Sequence, residues 1–182
     1  MAKIPKIKDL KFTASFKFSS SSSVKKKGPD TKEASRSFTQ GVITGSKEVE
    51  ASLPSALNRA MEMPIWGPFS PKTAYLRKNG ELATSGYRDL IDSGRLADSL
   101  KLSTQFLKTK VNTKITYTAP YAGLVYHGGA IRPYGNPSAS MVILPARPWI
   151  DAAFGEGDKG STPLIDINEI YSKAIDQAWN AG

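Results

Sequence analysis

Two periods of apolar residues run through this chain, and together they limit what it can fold into. Val111, Thr113, Ile115 and Tyr117 alternate with Asn112, Lys114, Thr116 and Thr118, the spacing of a strand with one buried face. Further on, Leu164, Ile167, Tyr171, Ala174 and Ala178 advance by three and four residues, with Ile170 and Ile175 widening the stripe. That is the pattern of a core-packing helix. Thr162-Pro163 marks its start, and Asp166 and Glu169 place acids near the positive end of its dipole. A strand of period two and a helix of period 3.6 outside any βαβ repeat predict an α+β fold. We expect a small, mainly antiparallel β-sheet with helices packed on one face, plus an extended basic N-terminal arm.

The other segments fit this frame. Residues 46–63 read as a helix, with Val49, Leu53, Ala56, Leu57, Ala60 and Met61 at helical spacing and Ser46 able to cap the start. Pro54 inside it predicts a kink or two shorter pieces. From Pro64 to Gly86 a long Pro/Gly loop holds Trp66, Phe69 and Tyr75. Trp66 is either a binding anchor or a plug for the core. Ser93-Gly94 opens a short helix through Leu100, and residues 101–108 precede the alternating strand as the first arm of a hairpin. A helix follows from Pro120 to Gly128-Gly129, with Tyr121, Leu124 and Val125 as its buried stripe. Residues 130–140 read as a polar loop. Met141-Val142-Ile143-Leu144, closed by Pro145, reads as a strand buried on both sides.

Charge divides the chain into an arm, residues 1–36, and a body, residues 37–182. Ten of the 25 Lys/Arg and three of the 16 acids lie in the arm, which is +7, while the body is only +2. Within the arm Phe12, Phe16 and Phe18 alternate with polar residues, and a serine run, Ser19–Ser23, and Lys25–Lys27 follow. A lone strand must join its own sheet or a neighbour's. The serine run favours a neighbour. The lysines can meet nucleic acid or an acidic protein through salt-sensitive electrostatics, or can simply be solvated.

Little here suggests catalysis. There is no cysteine and a single histidine, His127, so disulfides, thiolate chemistry and two-histidine metal sites within one subunit are excluded. No enzyme activity, metal or cofactor is expected. His127 beside two glycines reads as a polar helix cap. Gly155-x-Gly157-x-x-Gly160 follows a helix-like segment, Trp149–Phe154, where a dinucleotide fingerprint needs a strand. No apolar run approaches the ~20 residues that span a bilayer, and the first residues lack a signal peptide's apolar stretch, so neither membrane insertion nor export is expected.

Three segments remain: Asp92–Leu100 (DSGRLADSL), Ala119–Gly129 (APYAGLVYHGG) and Pro145–Phe154 (PARPWIDAAF). In this order they resemble the tail-completion, or head–tail joining, family of long-tailed bacteriophages. That family shows T/S-G-x-L-x-x-S, then Y-A-x-x-V/L-x-x-G, then A-R-P-W/F-hydrophobic-x-x-A. The resemblance spans roughly residues 46–180. Many relatives carry an acid before Phe-Gly where Tyr126-His127-Gly128 stands, so a role resting on that acid does not carry over.

The resemblance implies a structural virion protein made in the host cytoplasm. It would form a ring, a hexamer by preference, that joins the head connector to the tail and lets DNA pass. Its partners would be further copies of itself and other neck and tail proteins, with transient non-specific DNA contact. A head-closure or adaptor ring at the portal is the nearest alternative, and a nucleic-acid-binding protein using the lysine-rich arm is one of another class. Candidate assembly residues are Phe12, Phe16, Phe18, Trp66, Arg95, Tyr126, His127, Arg132, Arg147 and Trp149. Gly94, Leu96, Tyr121, Ala122, Gly128 and Pro148 are expected to shape the motifs. Arg147-Pro148-Trp149 joins a planar cation to a stiff turn and a large aromatic, residue types enriched in interface hot spots. Trp149 is equally readable as core.

Overall fold

The computed structural model describes residues 10–17, 31–63, 65–66, 94–107, 110–132, 138, 140–156 and 162–181. The elements in order are β1 (Leu10–Lys17), α1 (Thr31–Met61), α2 (Arg95–Asp98), β2 (Leu100–Leu107), β3 (Lys110–Tyr117), α3 (Ala122–His127), β4 (Gly129–Ile131), β5 (Val142–Leu144), α4 (Trp149–Ala153) and α5 (Ile167–Asn180). The fold is α+β. One sheet has the order β1-β3-β2, and a second pairs β4 with β5. Only residues 108 and 109 separate β2 from β3, too few for a parallel crossover, so the two are antiparallel. Thr104 Oγ1 meets Thr113 Oγ1 at 3.2 Å across them, and Thr118 N donates to Ser99 O at 3.0 Å in the same register.

The β3 alternation appears as read: Val111, Thr113, Ile115 and Tyr117 are buried. So does α5, whose Ile167, Tyr171 and Ala174 are buried. Asp166 caps it by accepting the Glu169 N–H at 3.0 Å, a role that the acid near the dipole only partly foretold.

The N-terminal half departs from expectation in two ways. α1 begins at Thr31, passes residue 36 without a break, and continues through Pro54 as one helix. Leu53, Ala56 and Leu57 are buried on either side of the proline, and this packing outweighs the one backbone bond that proline removes. Ser46 is therefore no cap. It lies mid-helix and buried, where its hydroxyl donates to Val42 O at 2.8 Å and pairs with Tyr171 Oη at 2.9 Å. The second departure is β1, which lies beside β3 in the chain's own sheet, so the preference for a neighbour's sheet does not hold at this strand.

The chain divides into two compact units. One comprises Met1–Lys11, Leu57–Lys101 and Thr116–Leu164; the other comprises Phe12–Ala56, Leu102–Ile115 and Ile165–Gly182. The core of the first includes Met61, Trp66, Leu96, Tyr117, Trp149 and Ile150. In the second, α1 packs on α5 through small residues. A Cβ placed on Gly41 would sit 2.6 Å from Ile175 Cα, and one on Gly45 would sit 2.6 Å from Tyr171 Cδ1. The bare backbone is what permits this approach. The Tyr171 hydroxyl is pushed above its ordinary pKa by burial, an effect that the Ser46 hydrogen bond opposes.

Candidate functional site

The three motif segments meet within the first unit. At the first, Gly94 has φ +77° and precedes α2, a left-handed conformation that glycine adopts without strain. Asp98 N donates back to Gly94 O at 2.8 Å. Leu96 is buried, and Arg95 is exposed. The helix ends at Ser99, whose hydroxyl donates to Leu96 O at 2.8 Å. Ser99 O in turn accepts both the backbone N–H and the hydroxyl of Thr118, tying the first segment to the residue before the second.

The second and third segments lock together at the end of α3. Arg147 N donates to both Val125 O and Tyr126 O, at 3.2 and 3.1 Å, and so satisfies carbonyls that the helix leaves open. Gly128 makes the approach feasible. Its φ of 69° and ψ of −178° fall in a region nearly reserved for glycine. A Cβ there would lie 2.6 Å from Ala146 N and 2.7 Å from Leu144 O. Pro148 then supplies the carbonyl that accepts Ala152 N at 3.0 Å, opening α4.

Aromatic rings fill the space beneath. Trp149 is fully buried and receives Tyr117 and Tyr126 edge-on, at centroid distances of 5.3 and 5.1 Å. Such pairs add about 0.5–1.5 kcal/mol each beyond the area they bury. The Tyr126 hydroxyl donates to Asp151 Oδ1 at 2.6 Å. Burial, and then the Asp151 carboxylate, push Tyr126 above its ordinary pKa. Burial does the same to Tyr117, while the nearby Trp149 indole N–H works against it without completing a hydrogen bond.

This geometry revises several expectations. Trp66, Tyr126, Arg147 and Trp149 are all buried within the chain, which for Trp66 and Trp149 is the core alternative that the sequence also offered. Each is large and sits where several segments meet, and burying it holds them together. Trp66 closes the carboxyl end of α1, its indole N–H donating to Ala60 O at 2.7 Å. In α3 the buried residues are Ala122 and Tyr126, whereas Tyr121 is exposed and Leu124 and Val125 are half-buried. Six residues make under two turns, and the Ala122–Tyr126 pair, four apart, faces inward. His127 is exposed and lies edge-on to Tyr126 at 4.9 Å; Gly128 is the cap residue.

Met141-Val142-Ile143 is the sharpest reversal. It is exposed, with Ile143 at 79%, because β5 belongs to a two-stranded ribbon with β4 and not to the larger sheet. The pairing is antiparallel, Gly129 opposite Leu144, Ala130 opposite Ile143 and Ile131 opposite Val142. β4 starts at Gly129, read as part of the helix stop, and runs into the stretch read as loop. Arg132, just past it, is exposed. Phe12 and Phe16 belong to β1. Phe18, like Gly157–Gly160 and the loop aromatics Phe69 and Tyr75, lies outside the described residues. The sequence carried no sign of the Tyr126–Asp151 pairing, since it depends on how α3 meets α4.

Among the described residues no three acidic or imidazole side chains gather to hold an ion, and no helix is long and apolar enough to cross a membrane. The second unit has an open cleft of about 600 Å³, lined by Ser35, Arg36, Thr39 and Gln40 of α1 and by Ala178 and Ala181. No protein-family model, curated protein or solved structure matches the chain.

Proposed function

We propose that this protein is a structural component of the neck of a tailed phage virion. In this reading it forms a ring, hexameric by preference, between the head connector and the tail, where it completes or terminates the tail and lets DNA pass. The observation that supports this is the meeting of the three segments of family resemblance. Gly94, Leu96, Gly128, Arg147 and Trp149 all take part in one interlocked scaffold, so the resemblance falls on residues that depend on one another. The work of such a protein is assembly, with no turnover. Its buried motif residues hold the body in shape and leave exposed surfaces to meet neighbours. A portal-side adaptor ring differs in position and not in this logic.

The mass of the purified protein in solution tests the ring, and labelled protein located at the head–tail junction of virions tests the place. A protein that stays monomeric at every concentration and is missing from virions would end the proposal. The +7 charge of residues 1–36 favours a second reading, nucleic-acid binding. Gel shifts across a salt series, with Lys25, Lys26 and Lys27 changed to Ala for comparison, separate the two. Weak, sequence-independent affinity that falls steeply with salt fits transient contact with passing DNA. Tight, sequence-selective binding favours the second reading.

A further inference from the structure

The two faces of the β2–β3 hairpin differ in kind. Val111, Thr113 and Ile115 of β3 are buried, and successive residues of a strand alternate between faces, so Lys110, Asn112 and Lys114 point the other way. The register that sets Thr104 against Thr113 places Gln105 opposite Asn112 and Ser103 opposite Lys114 on this outer face. Ser103, Gln105 and Lys114 are exposed, and Lys110 and Asn112 are half-buried. All five lie within the second unit.

Each of these side chains can donate a hydrogen bond, and none is a carboxylate. The run without acids extends well beyond the hairpin. Residues 99–150 hold six Lys/Arg and no Asp or Glu, and four of the six bases fall within residues 101–114. A surface carrying one sign of charge gathers ligands of the other sign. Lys, Ser, Asn and Gln are also side chains through which proteins hold phosphate oxygens. Among the described residues of this outer face there is no aromatic ring on which an unpaired base could stack. Phe106 belongs to the opposite face, in alternation with Gln105 and Leu107. The chemistry therefore suits the backbone of a duplex better than single-stranded nucleic acid.

We infer that the outer face of the β2–β3 hairpin holds the phosphate backbone of duplex DNA without reading its sequence. Lys110 and Lys114 supply the charged contacts, and Ser103, Gln105 and Asn112 donate between them. This inference rests on the DNA contact that accompanies the proposed neck role, and it places that contact on the folded body as well as on the lysine-rich arm.

The test is binding of the full chain to a short DNA duplex of mixed sequence, by fluorescence anisotropy across a salt series, with circular dichroism to check the fold. Lys110→Gln combined with Lys114→Gln removes two phosphate contacts and should lower the slope of log affinity against log salt by about 2. Between about 50 and 200 mM salt the wild-type protein should then lose roughly tenfold more affinity than this variant. Lys47→Gln combined with Lys173→Gln removes the same charge from exposed positions on α1 and α5 and should leave the slope nearly unchanged. Equal losses in the two double variants would mean that only net charge counts, and would overturn the site. Polyglutamate bound as tightly as DNA would also overturn it, in favour of an acidic protein partner. A slope lost when Lys25, Lys26 and Lys27 become Ala, and kept when Lys110 and Lys114 become Gln, overturns this site and leaves the arm's DNA contact standing. A wild-type chain that never binds DNA overturns both, while the ring is judged separately by its mass in solution.

Discussion

Gly41→Ala pits two effects of opposite sign against each other. In a helix interior alanine is favoured over glycine by about 0.8–1 kcal/mol, so helix propensity alone predicts a more stable protein. The packing predicts the reverse. The new methyl carbon would lie 2.6 Å from Ile175 Cα and 3.0 Å from Ala174 O, against an optimum near 3.5–4.0 Å for carbon pairs. Both obstacles are backbone, so no side chain can turn aside, and α5 must retreat by about 1 Å. Overpacking of this kind costs about 1–3 kcal/mol. The retreat also strains the 2.9 Å contact between Ser46 Oγ and Tyr171 Oη, a bond of about 0.5–1.5 kcal/mol. With the propensity gain subtracted, we expect a net loss of about 1–2 kcal/mol. Urea unfolding followed by circular dichroism measures it, with Thr44→Ala, at an exposed position of the same helix, as the control for propensity. If Gly41→Ala raises the urea midpoint as Thr44→Ala does, the close crossing of α1 and α5 is wrong.

Other expectations follow from the interlocked motifs. Gly128→Ala should lose more than about 2 kcal/mol by thermal or urea unfolding, since strain at its φ and ψ adds to contacts with the backbone of Leu144 and Ala146. Trp149→Ala should lose about 3–5 kcal/mol and collapse the near-ultraviolet signal of the edge-on cluster it forms with Tyr117 and Tyr126. Raised tyrosine pKa values mean that the folded protein holds its phenolic protons longer than the unfolded chain. Their stabilisation is therefore complete below about pH 10 and declines as pH rises beyond it. Unfolding titrations between pH 9 and 11 should show that decline, with a shallower slope in Tyr126→Phe. Deleting residues 1–36 should destabilise the protein, because β1 and the first turns of α1 go with them; a deletion with unchanged unfolding would contradict the placement of β1.

What the sequence revealed and what it hid follow from side-chain size. β3 and α5 were legible because their buried positions carry Val, Ile and Tyr, whose spacing states the period. The amino-terminal half of α1 was not, because Val42 is the one large apolar residue among its buried positions and the others are Gly41, Gly45 and Ser46, small residues that let helices touch and contribute almost no hydrophobic signal. Met141–Leu144 misled for the opposite reason. An apolar run looks the same whether a sheet covers it or it waits in the open. Trp149 and Tyr126 stood out as large aromatics, but residue type could not distinguish an anchor turned outward from one turned in. Arg147 was misjudged in the same way, since the backbone contacts that draw it inward join residues about twenty positions apart.

The packing of α1 on α5 also governs the timing of folding. The second unit draws on residues 12–56, 102–115 and 165–182, and the helix that covers Gly41 and Gly45 is made after all the other described elements. While the ribosome is still adding the middle of the chain, most of α1 has left the exit tunnel with its inward face uncovered. That unit must therefore assemble after synthesis of α5. Nascent chains halted before residue 165 should be prey to proteases and chaperones, whatever the remainder of the chain has achieved.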